Sequence, residues 1–356
     1  MKPLTTSPDI VVLFSGGLDS LLTAKLLQRQ GLSVRCWHAF SPFFGKPRAR
    51  DFWRATYGLD VHTEDVGEAF AAMLRQGPSH GFGKVLNPCV DCKIHLLRRA
   101  KIYMESVGAQ ALASGEVPGQ RPMSQRRDVM RVIAREAGVA DILVRPLGAG
   151  LLEPSMPERK GLVDRSRLAS ISGRGRAGQF ALAARFGITE IPTPAGGCRL
   201  TDRENARRYW PLLTRPGEPT SADFDLANLG RQFWARDGET RFWLCVGRNK
   251  EDNEGLAQAA KSGDALLFLR DMPGPTALAR DGAHWPSGIL LRAAKLTAFR
   301  SPRAVAGGEA AAVCVKTGEK ERTLAAEPEH VVFFEGPPSF DLVHDERRRR
   351  FPPQNL

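Results

Sequence analysis

The chain has 356 residues, of which 42% are hydrophobic, so it is long and apolar enough for two domains with real cores. Its 51 Lys and Arg residues against 39 Asp and Glu residues give a formal net charge of +12. This charge favours a polyanionic partner, although a merely basic soluble enzyme would have the same composition. Apolar runs are too short for a membrane span, and the N-terminus lacks the apolar core of a signal peptide. A cytoplasmic protein without a membrane partner is therefore expected.

The first informative stretch is glycine-rich and reads Ser15-Gly16-Gly17-Leu18-Asp19-Ser20. The continuous apolar run before it predicts a strand buried on both faces, and leucines at helical spacing after it predict a helix. In such a strand–loop–helix turn, glycines let the backbone approach a ligand, and the first N–H groups of the helix favour an anion. Asp19 can hold a metal ion that bridges phosphates. A glycine turn without a ligand would show the same local pattern, and the spacing is not that of a Walker loop.

The segments that follow predict an open α/β sheet. Residues 32–40 and 111–113 read as further strands, and residues 50–57 as a helix. Ser124 is predicted to cap a helix that runs to about residue 137. Ligands of such sheets bind beyond the carboxyl ends of the strands, which places Gly115 on the ligand side.

Three cysteines are candidates for chemistry. Cys89 and Cys92 form a Cys-x-x-Cys pair before a helix predicted over residues 94–107, and Cys198 follows two glycines in a loop. In a cytoplasmic protein such cysteines suggest metal binding or catalysis rather than disulfides. The pair alone could be a redox dithiol, half of a zinc site completed by a residue such as His95, or part of an iron–sulfur site.

Two basic stretches follow the predicted sheet. Arg165 and Arg167 form the first, and Arg174 and Arg176 stand among glycines in the second. Arginines clustered with glycine suit contacts with phosphates, and a solvated, flexible loop would have the same pattern.

Taken together, these segments resemble the tRNA thiouridine synthetase (tRNA sulfurtransferase) branch of the PP-loop ATP pyrophosphatase superfamily. The resemblance rests on the Ser-Gly-Gly-x-Asp-Ser turn, the Asn-Pro-Cys-x-x-Cys-Lys segment, the Gly-Glu-x-x-x-Gln-x-x-x-Ser-Gln segment from Gly115 to Gln125, and the later loop cysteine. It covers roughly residues 8–212. It implies an open, mostly parallel, doubly wound sheet of the PP-loop, adenine nucleotide alpha hydrolase-like fold.

In that family, ATP converts a uridine carbonyl oxygen into an adenylate, and sulfur then displaces AMP. The resemblance therefore implies ATP and Mg²⁺ as cofactors and tRNA as partner. It implies that Gly115 lies near the adenosine of a bound nucleotide. The phosphates are expected at the glycine-rich turn, which consists of Ser15, Gly16, Gly17, Leu18, Asp19 and Ser20.

Sulfur delivery has two versions in the family. One uses two cysteines with a persulfide on the second, and here the pair would be Cys89 and Cys198. The other holds a [4Fe–4S] cluster on three cysteines, and its open iron carries sulfide; Cys89, Cys92 and Cys198 fit this version, which we favour. Cys89, Cys198 and Asp19 are then the expected catalytic residues. No rhodanese-type segment is evident, so an external sulfur donor, sulfide or a cysteine desulfurase, is expected.

The remainder of the chain predicts a second domain. Residues 1–212 are expected to form the catalytic domain, 213–221 a linker, 222–345 a smaller α+β domain, and 346–356 a basic tail. The pattern in 222–345, with a Gly-Arg-Asn turn and an Asp-x-Pro-Gly turn, resembles the RNA-binding domain of ribosome quality-control (fibronectin-binding-like) proteins.

Charged and aromatic side chains of this second domain are candidates for RNA contacts. Phosphate contacts are expected from four cations: Arg248, Lys250, Arg270 and Arg280. Four aromatic residues could stack on bases, although alternating aromatic residues in strands more often form core: Phe233, Trp234, Phe242 and Trp243.

The sequence therefore predicts an ATP-dependent tRNA uridine thiolase. In one rival hypothesis, the ATP domain modifies a small molecule or a carrier protein. In the other, the chain is a non-catalytic RNA-associated or ribosome-associated factor that binds ATP.

Overall fold

The chain divides into two units, the first formed by residues 1–202 with 348–356 and the second by residues 203–347. The structure is a computed structural model, and it describes residues 7–192 and 197–352. Residues 213–221, predicted as a linker, contain the end of one helix and the turn before the next, and they belong to the second unit. The functional division of the chain into domains stays a prediction.

A five-stranded sheet in the order β3-β2-β1-β4-β5 forms the centre of the first unit. Its strands are β1 (Ile10–Leu13), β2 (Val34–Phe40), β3 (Asp60–Asp65), β4 (Ala111–Ser114) and β5 (Leu143–Val144). Each of the four neighbouring pairs in this sheet is parallel. The predicted open, parallel, doubly wound sheet is confirmed.

Helices of the first unit connect and cover these strands. They are α1 (Leu18–Gln28), α2 (Arg50–Tyr57), α3 (Gly67–Gln76), α4 (Cys89–Ser106), α5 (Arg127–Glu136), α6 (Met156–Arg159) and α7 (Ala177–Arg185). All residues of β1 and β4 are buried, so both faces of the central strands are covered. This burial on both faces explains why every residue of β1 is apolar.

The second unit contains a six-stranded antiparallel sheet in the order β11-β10-β8-β9-β7-β6. Its strands are β6 (Arg231–Asp237), β7 (Thr240–Val246), β8 (Ala265–Leu269), β9 (Ala277–Arg280), β10 (Ala311–Thr317) and β11 (Lys320–Ala326). Its helices are α8 (Arg203–Thr214), α9 (Ser221–Ala227), α10 (Lys250–Ala259), α11 (Ser287–Phe299), α12 (Pro302–Gly307) and α13 (Phe340–Arg350). The predicted α+β class of this part of the chain is confirmed.

One face of the antiparallel sheet packs against α11 to form the core of the second unit. Phe233 and Phe242 from the strands and Ile289 from the helix belong to this core. These two aromatic residues are therefore core residues rather than a stacking platform. Across the described ranges, no helix has the length and apolar character that crossing a membrane requires.

Two helix starts in the first unit differ from their predictions. The helix expected to begin with Ser124 as its cap begins at Arg127, and Ser124 is buried. The preceding residues instead close a loop in which Gly119 N–H donates to Gln125 O at 2.7 Å. The helix expected over residues 94–107 begins at Cys89, because Pro88 is a suitable residue for the start of a helix.

Candidate functional site

The carboxyl ends of β2, β1 and β4 meet at one edge of the parallel sheet. The glycine-rich turn (Ser15–Ser20) follows β1, residues 41–44 follow β2, and the segment Gly115–Gln125 follows β4. The chain leaves β1 toward β2 on one side, whereas β4 lies on the other side. This edge is therefore a topological switch point, the place where open α/β sheets bind ligands.

The glycine-rich turn is closed by the hydroxyl group of Ser20. Ser20 Oγ donates to Gly17 O at 2.9 Å and accepts the N–H of Ser15 at 3.2 Å. Gly17 is the N-cap of α1 and has no side chain that could accept from the first N–H groups of the helix. The start of α1 thus presents N–H groups and hydroxyl groups in the arrangement that favours a bound anion.

Two glycines of the site are required by close contacts. Gly16 has a φ of +78°, and a Cβ atom there would lie 2.7 Å from Trp53 Cζ2. A Cβ atom at Gly115 would lie 2.7 Å from the carbonyl carbon and oxygen of Asp19. Gly115 therefore lets the end of β4 approach the backbone of the first turn of α1. Its predicted position near the adenosine stays a prediction.

Asp19 is held by side chains from two later parts of the chain. Its Oδ2 accepts a hydrogen bond from Gln120 Nε2 at 2.8 Å and lies 3.8 Å from Arg176 Nη2. Gln179 is fully buried and donates to Gln120 Oε1 at 3.0 Å, so the NH₂ group of Gln120 faces Asp19. Asp19 Oδ1 is buried and accepts no hydrogen bond from the described residues. Such a carboxylate oxygen is a suitable ligand for a divalent cation.

Glu116 connects the end of β4 to the start of α4. The carboxylate is 1% exposed, and its Oε2 accepts from Ser114 Oγ at 2.9 Å and from Arg145 Nε at 3.1 Å. Lys93 Nζ lies 4.0 Å from Oε1. Burial alone would raise the pKa of Glu116, but the charges of Lys93 and Arg145 hold that pKa below its ordinary value. A charged contact therefore joins the residue after Cys92 to the central sheet.

Cys89 and Cys92 lie three positions apart in the first turn of α4, and residues at this spacing share one face of a helix. Asn87 Nδ2 lies 3.2 Å from Cys89 Sγ and 3.5 Å from Met123 Sδ. Cys89 and Met123 therefore share one hydrogen-bond donor. Met123 belongs to the same segment as Gln120, so Gly115–Gln125 contacts both the glycine-rich turn and the first cysteine.

Two backbone hydrogen bonds fix the residues that follow Cys198. Arg199 N–H donates to Phe43 O at 2.8 Å, and Leu86 N–H donates to Leu200 O at 3.1 Å. The first contact joins this segment to the end of β2, and the second joins it to the residues before α4. Residues 194–196 of the predicted loop lie outside the described residues.

The three thiols lie close enough to influence one another's ionisation. Burial raises the pKa of Cys92, and the neighbouring Cys198 and Cys89 raise it further. Burial also raises the pKa of Cys198 to about 11, although the N–H of Leu200 donates to the sulfur and opposes the rise. Such thiols are neutral unless a metal or another cation stabilises their thiolates. The structure thus brings the three predicted cysteines together, and their roles stay predictions.

The cysteine group does not have the geometry of a single-ion site. Within residues 7–192 and 197–352, no three His, Cys, Asp or Glu residues are placed to hold one metal ion. His95, the suggested fourth zinc ligand, packs edge-on against Phe70 with ring centroids 5.4 Å apart.

Only part of the basic sequence between β5 and α7 lies at the site. Arg176 contacts Asp19, as described above, and thus lies where a phosphate contact was predicted. Arg165 pairs with Glu158 at 2.6 Å, and Arg167 donates to the backbone carbonyl of Arg29. These two arginines hold neighbouring segments together, and Arg167 does so from an exposed position.

Sequence reasoning assigned no role to several side chains that build the site. Gln120 and Glu116 belong to the segment Gly115–Gln125, which carries part of the family resemblance. Their spacing after Gly115 in that motif was the only indication in the sequence that they belong to the site. Asn87 stood directly before the cysteine pair. Gln179 lies in a helix without any motif, so its contact with Gln120 could be found only from the structure.

All four cations expected to contact phosphates in the second unit have acidic partners, including Lys250, which lies 3.7 Å from Glu254. Arg280 is 8% exposed and pairs with Asp264 at 2.5 Å, so the predicted phosphate contact at Arg280 is wrong. Arg248 pairs with Asp252 at 2.6 Å, and this hydrogen bond lowers the pKa of Asp252 to about 2. Arg270 lies 3.7 Å from the carboxylate of Glu321.

The aromatic residues of the second unit are largely internal. Trp234 and Trp243 stack with ring centroids 4.9 Å apart, and Trp243 is buried. With Phe233 and Phe242 in the core, the interpretation of these residues as core is favoured over base stacking.

The parallel sheet, the glycine-rich turn at its switch point and the carboxylate in that turn form a PP-loop-like fold. Residues 5–150 match the family model described as "Thiamine biosynthesis protein (ThiI)". The chain is 28% identical over 190 residues to a probable tRNA sulfurtransferase of Methanosarcina acetivorans, with 46% of each chain covered. Residues 5–150 are thus similar to this family model, and the chain is similar to a tRNA sulfurtransferase over part of its length.

A second relative is the tRNA-specific 2-thiouridylase MnmA of Desulfosudis oleivorans, 33% identical over 126 residues, with 32% of this chain and 33% of that protein covered. The chain thus spans about half the length of the first relative and about a third of the second. One similar solved structure is the C-terminal part of the fibronectin/fibrinogen-binding protein from Streptococcus suis, 15% identical with a TM-score of 0.25, covering 52% of this chain and 85% of that chain. A TM-score this low supports no conclusion about the second unit.

Proposed function

We propose that the chain is an ATP-dependent tRNA uridine thiolase, which adenylates a uridine carbonyl oxygen and then replaces it with sulfur. One observation carries the proposal. The segment Gly115–Gln125 contacts Asp19 through Gln120, and through Met123 it shares Asn87 with Cys89. The groups suited to phosphate and the groups suited to sulfur chemistry are therefore linked by a single short segment.

The glycine-rich turn supports the assignment of ATP. The N–H groups at the start of α1, together with the hydroxyl group of Ser15, would bind the phosphates, while Ser20 closes the turn. Asp19 Oδ1, buried without a hydrogen-bond partner among the described residues, would hold Mg²⁺ between them. Arg176, 3.8 Å from the other oxygen of Asp19, would offset the negative charge that the departing pyrophosphate carries.

The chemistry of the thiol group fits a [4Fe–4S] cluster on Cys89, Cys92 and Cys198. Thiolates are the usual ligands of such clusters, and hydrogen bonds to their sulfur atoms tune the bound group. The amide of Asn87 donates to Cys89, and backbone N–H groups donate to Cys198. When bound, the cluster supplies the sulfur that replaces the adenylated oxygen.

The two proposed steps balance without a change of oxidation state. The uridine oxygen attacks the α-phosphorus of ATP, pyrophosphate leaves, and the ring nitrogen loses its proton. Hydrosulfide then adds to the activated carbon, the carbon–oxygen bond breaks, and AMP leaves with the oxygen. The proton of hydrosulfide restores the one that the ring nitrogen lost.

A persulfide enzyme that uses Cys89 and Cys198 is the alternative within the same family. The outer sulfur of a persulfide is more oxidised than sulfide, so its transfer leaves a disulfide between the two cysteines. Each turnover then consumes one equivalent of an external dithiol. Cys92 would be dispensable in this route, whereas the cluster route requires it.

Thiolation of bulk tRNA by the full chain with ATP, Mg²⁺ and sulfide tests the proposal. Protein purified without oxygen is assayed for iron and sulfide, and thiouridine is measured by mass spectrometry. The cluster route predicts about four irons per chain and loss of thiolation in Cys92→Ser and Cys198→Ala, with ATP binding retained. An active Cys92→Ser protein that requires a dithiol would favour the persulfide route. Normal thiolation by Cys198→Ala would refute both assignments.

A small-molecule acceptor is a second candidate, because the matching family model is described by thiamine biosynthesis. AMP release measured with and without bulk tRNA separates the two, since a tRNA thiolase releases AMP faster when tRNA is present. A protein that binds ATP in a direct titration but releases no AMP with either acceptor would instead be a non-catalytic RNA-associated factor.

A further inference from the structure

A groove of about 550 Å³ opens on the surface of the second unit. It lies between the β10–β11 hairpin, the first turn of α11 and the short 3₁₀ turn Gly282–His284. Its lining combines small, apolar and charged residues: Gly282, Ala283, Leu290, Val315, Thr317, Lys320, Glu321 and Arg322. This volume is within the range of about 300–1,000 Å³ that is usual for ligand sites.

The hairpin directs two cations to the same side of the groove. Lys320 is paired across the ladder with Thr317, and Arg322 with Val315, so these four residues share one face of the hairpin. Within the described part of the chain, neither Lys320 nor Arg322 forms an ion pair. Glu321 also lines the groove, but its carboxylate lies 3.7 Å from Arg270.

The base of the groove is apolar and adjoins the start of a helix. Val315 and Leu290 are buried side chains from the hairpin and from α11. Leu290 belongs to the first turn of α11, and the helix dipole makes this end of the helix electropositive. Two free cations therefore line the groove beside the start of a helix, and Thr317 lines the same groove.

We propose that this groove binds a strand of RNA, with phosphates at Lys320 and Arg322 beside the start of α11. Cations that line one groove are the groups with which proteins contact the phosphates of a nucleic acid strand. The inference rests on the proposed function, which makes tRNA the polyanionic partner. The proposal places the phosphate contacts of the second unit at Lys320 and Arg322 instead of Arg280, which is buried and paired with Asp264.

Binding of bulk tRNA by the full chain at several salt concentrations tests the groove. The variant Lys320→Gln/Arg322→Gln removes both groove cations. The control Lys316→Gln/Lys261→Gln removes two exposed charges of the same unit that do not line the groove. Each lost phosphate contact makes the slope of log K against log salt shallower by about one. The slope should therefore become shallower by about two in the groove variant and should stay unchanged in the control.

Amide hydrogen exchange gives a second readout that needs no substitution. Addition of tRNA should protect the amides of residues 315–322 more than those of the hairpin between β6 and β7. Equal salt-dependence slopes for both variants, or no protection of the amides of residues 315–322 by tRNA, would refute RNA binding in the groove. An acidic peptide such as polyglutamate that protects residues 315–322, when tRNA does not, would assign the groove to a protein partner and also overturn the proposal. Failure of the wild-type chain to bind tRNA would count against the proposed function itself.

Discussion

The side-chain amide of Gln120 donates to the carboxylate of Asp19 at 2.8 Å, across 101 positions of the chain. A buried glutamine, Gln179, orients that amide from the other side. The carboxylate is thus held through one oxygen, while the other has no hydrogen-bond partner among the described residues.

Replacement of Gln120 by Ala should weaken binding of Mg²⁺-ATP, because Asp19 loses the contact that orients its free oxygen. A hydrogen bond to a charged group contributes about 1.5 kcal/mol or more, which corresponds to a roughly tenfold loss of affinity. Isothermal titration calorimetry at fixed Mg²⁺ concentrations measures the affinity for ATP. Gln110→Ala, at an exposed position before β4, is the matched control. Equal affinity for both variants would contradict the role of Gln120.

Replacement of Gly115 by Ala should disrupt the start of α1, because the new Cβ atom would lie 2.7 Å from backbone atoms of Asp19, which cannot rotate away. We expect a loss of about 1–3 kcal/mol in the free energy of unfolding, together with weakened ATP binding. Gly175→Ala is the control, since no heavy atom lies within 4 Å of its added Cβ. Urea unfolding and nucleotide titration measure both effects, and similar values for the two variants would refute the steric argument.

The ion pair between Glu116 and Arg145 should make stability depend on pH. The pKa of Glu116 is lowered in the folded chain, so its contribution is complete above the ordinary value of 4.5 and is lost as pH falls through the lower folded value. Glu116→Gln should therefore be less stable than the wild type at pH 7, and this difference should shrink below about pH 4. Urea unfolding across this range measures it, and a constant difference would contradict the assignment.

Loss of Arg280 should destabilise the second unit far more than loss of Arg248. Arg280 is buried against Asp264, and removal of one partner of a buried pair costs about 3–5 kcal/mol. Arg248 is half-exposed, so its pair with Asp252 should contribute about 1 kcal/mol or less. Thermal unfolding of Arg280→Met and Arg248→Met compares them. Equal melting temperatures would show that Arg280 is not structurally required.

The sequence was sufficient to predict the parallel sheet because its strands are short, continuous apolar runs joined by periodic helices. It also indicated the glycine-rich turn, since Gly16 satisfies a local backbone requirement. The start of α4 at Cys89 was missed because a proline before a helix was interpreted as part of a loop. The pairing of Arg280 with Asp264 and of Gln179 with Gln120 depends on contacts between distant segments, which no local pattern encodes.

The contact between Glu116 and Lys93 has a consequence for how a reaction at this edge would proceed. It joins α4, the helix that begins with two of the cysteines, to the carboxyl end of β4, a strand inside the sheet. Moving the two sulfur atoms toward a distant acceptor would therefore break a charged contact with a buried carboxylate. In a thiolation reaction, we therefore expect the uridine base to leave its stack in the RNA and to approach the cysteine sulfur atoms.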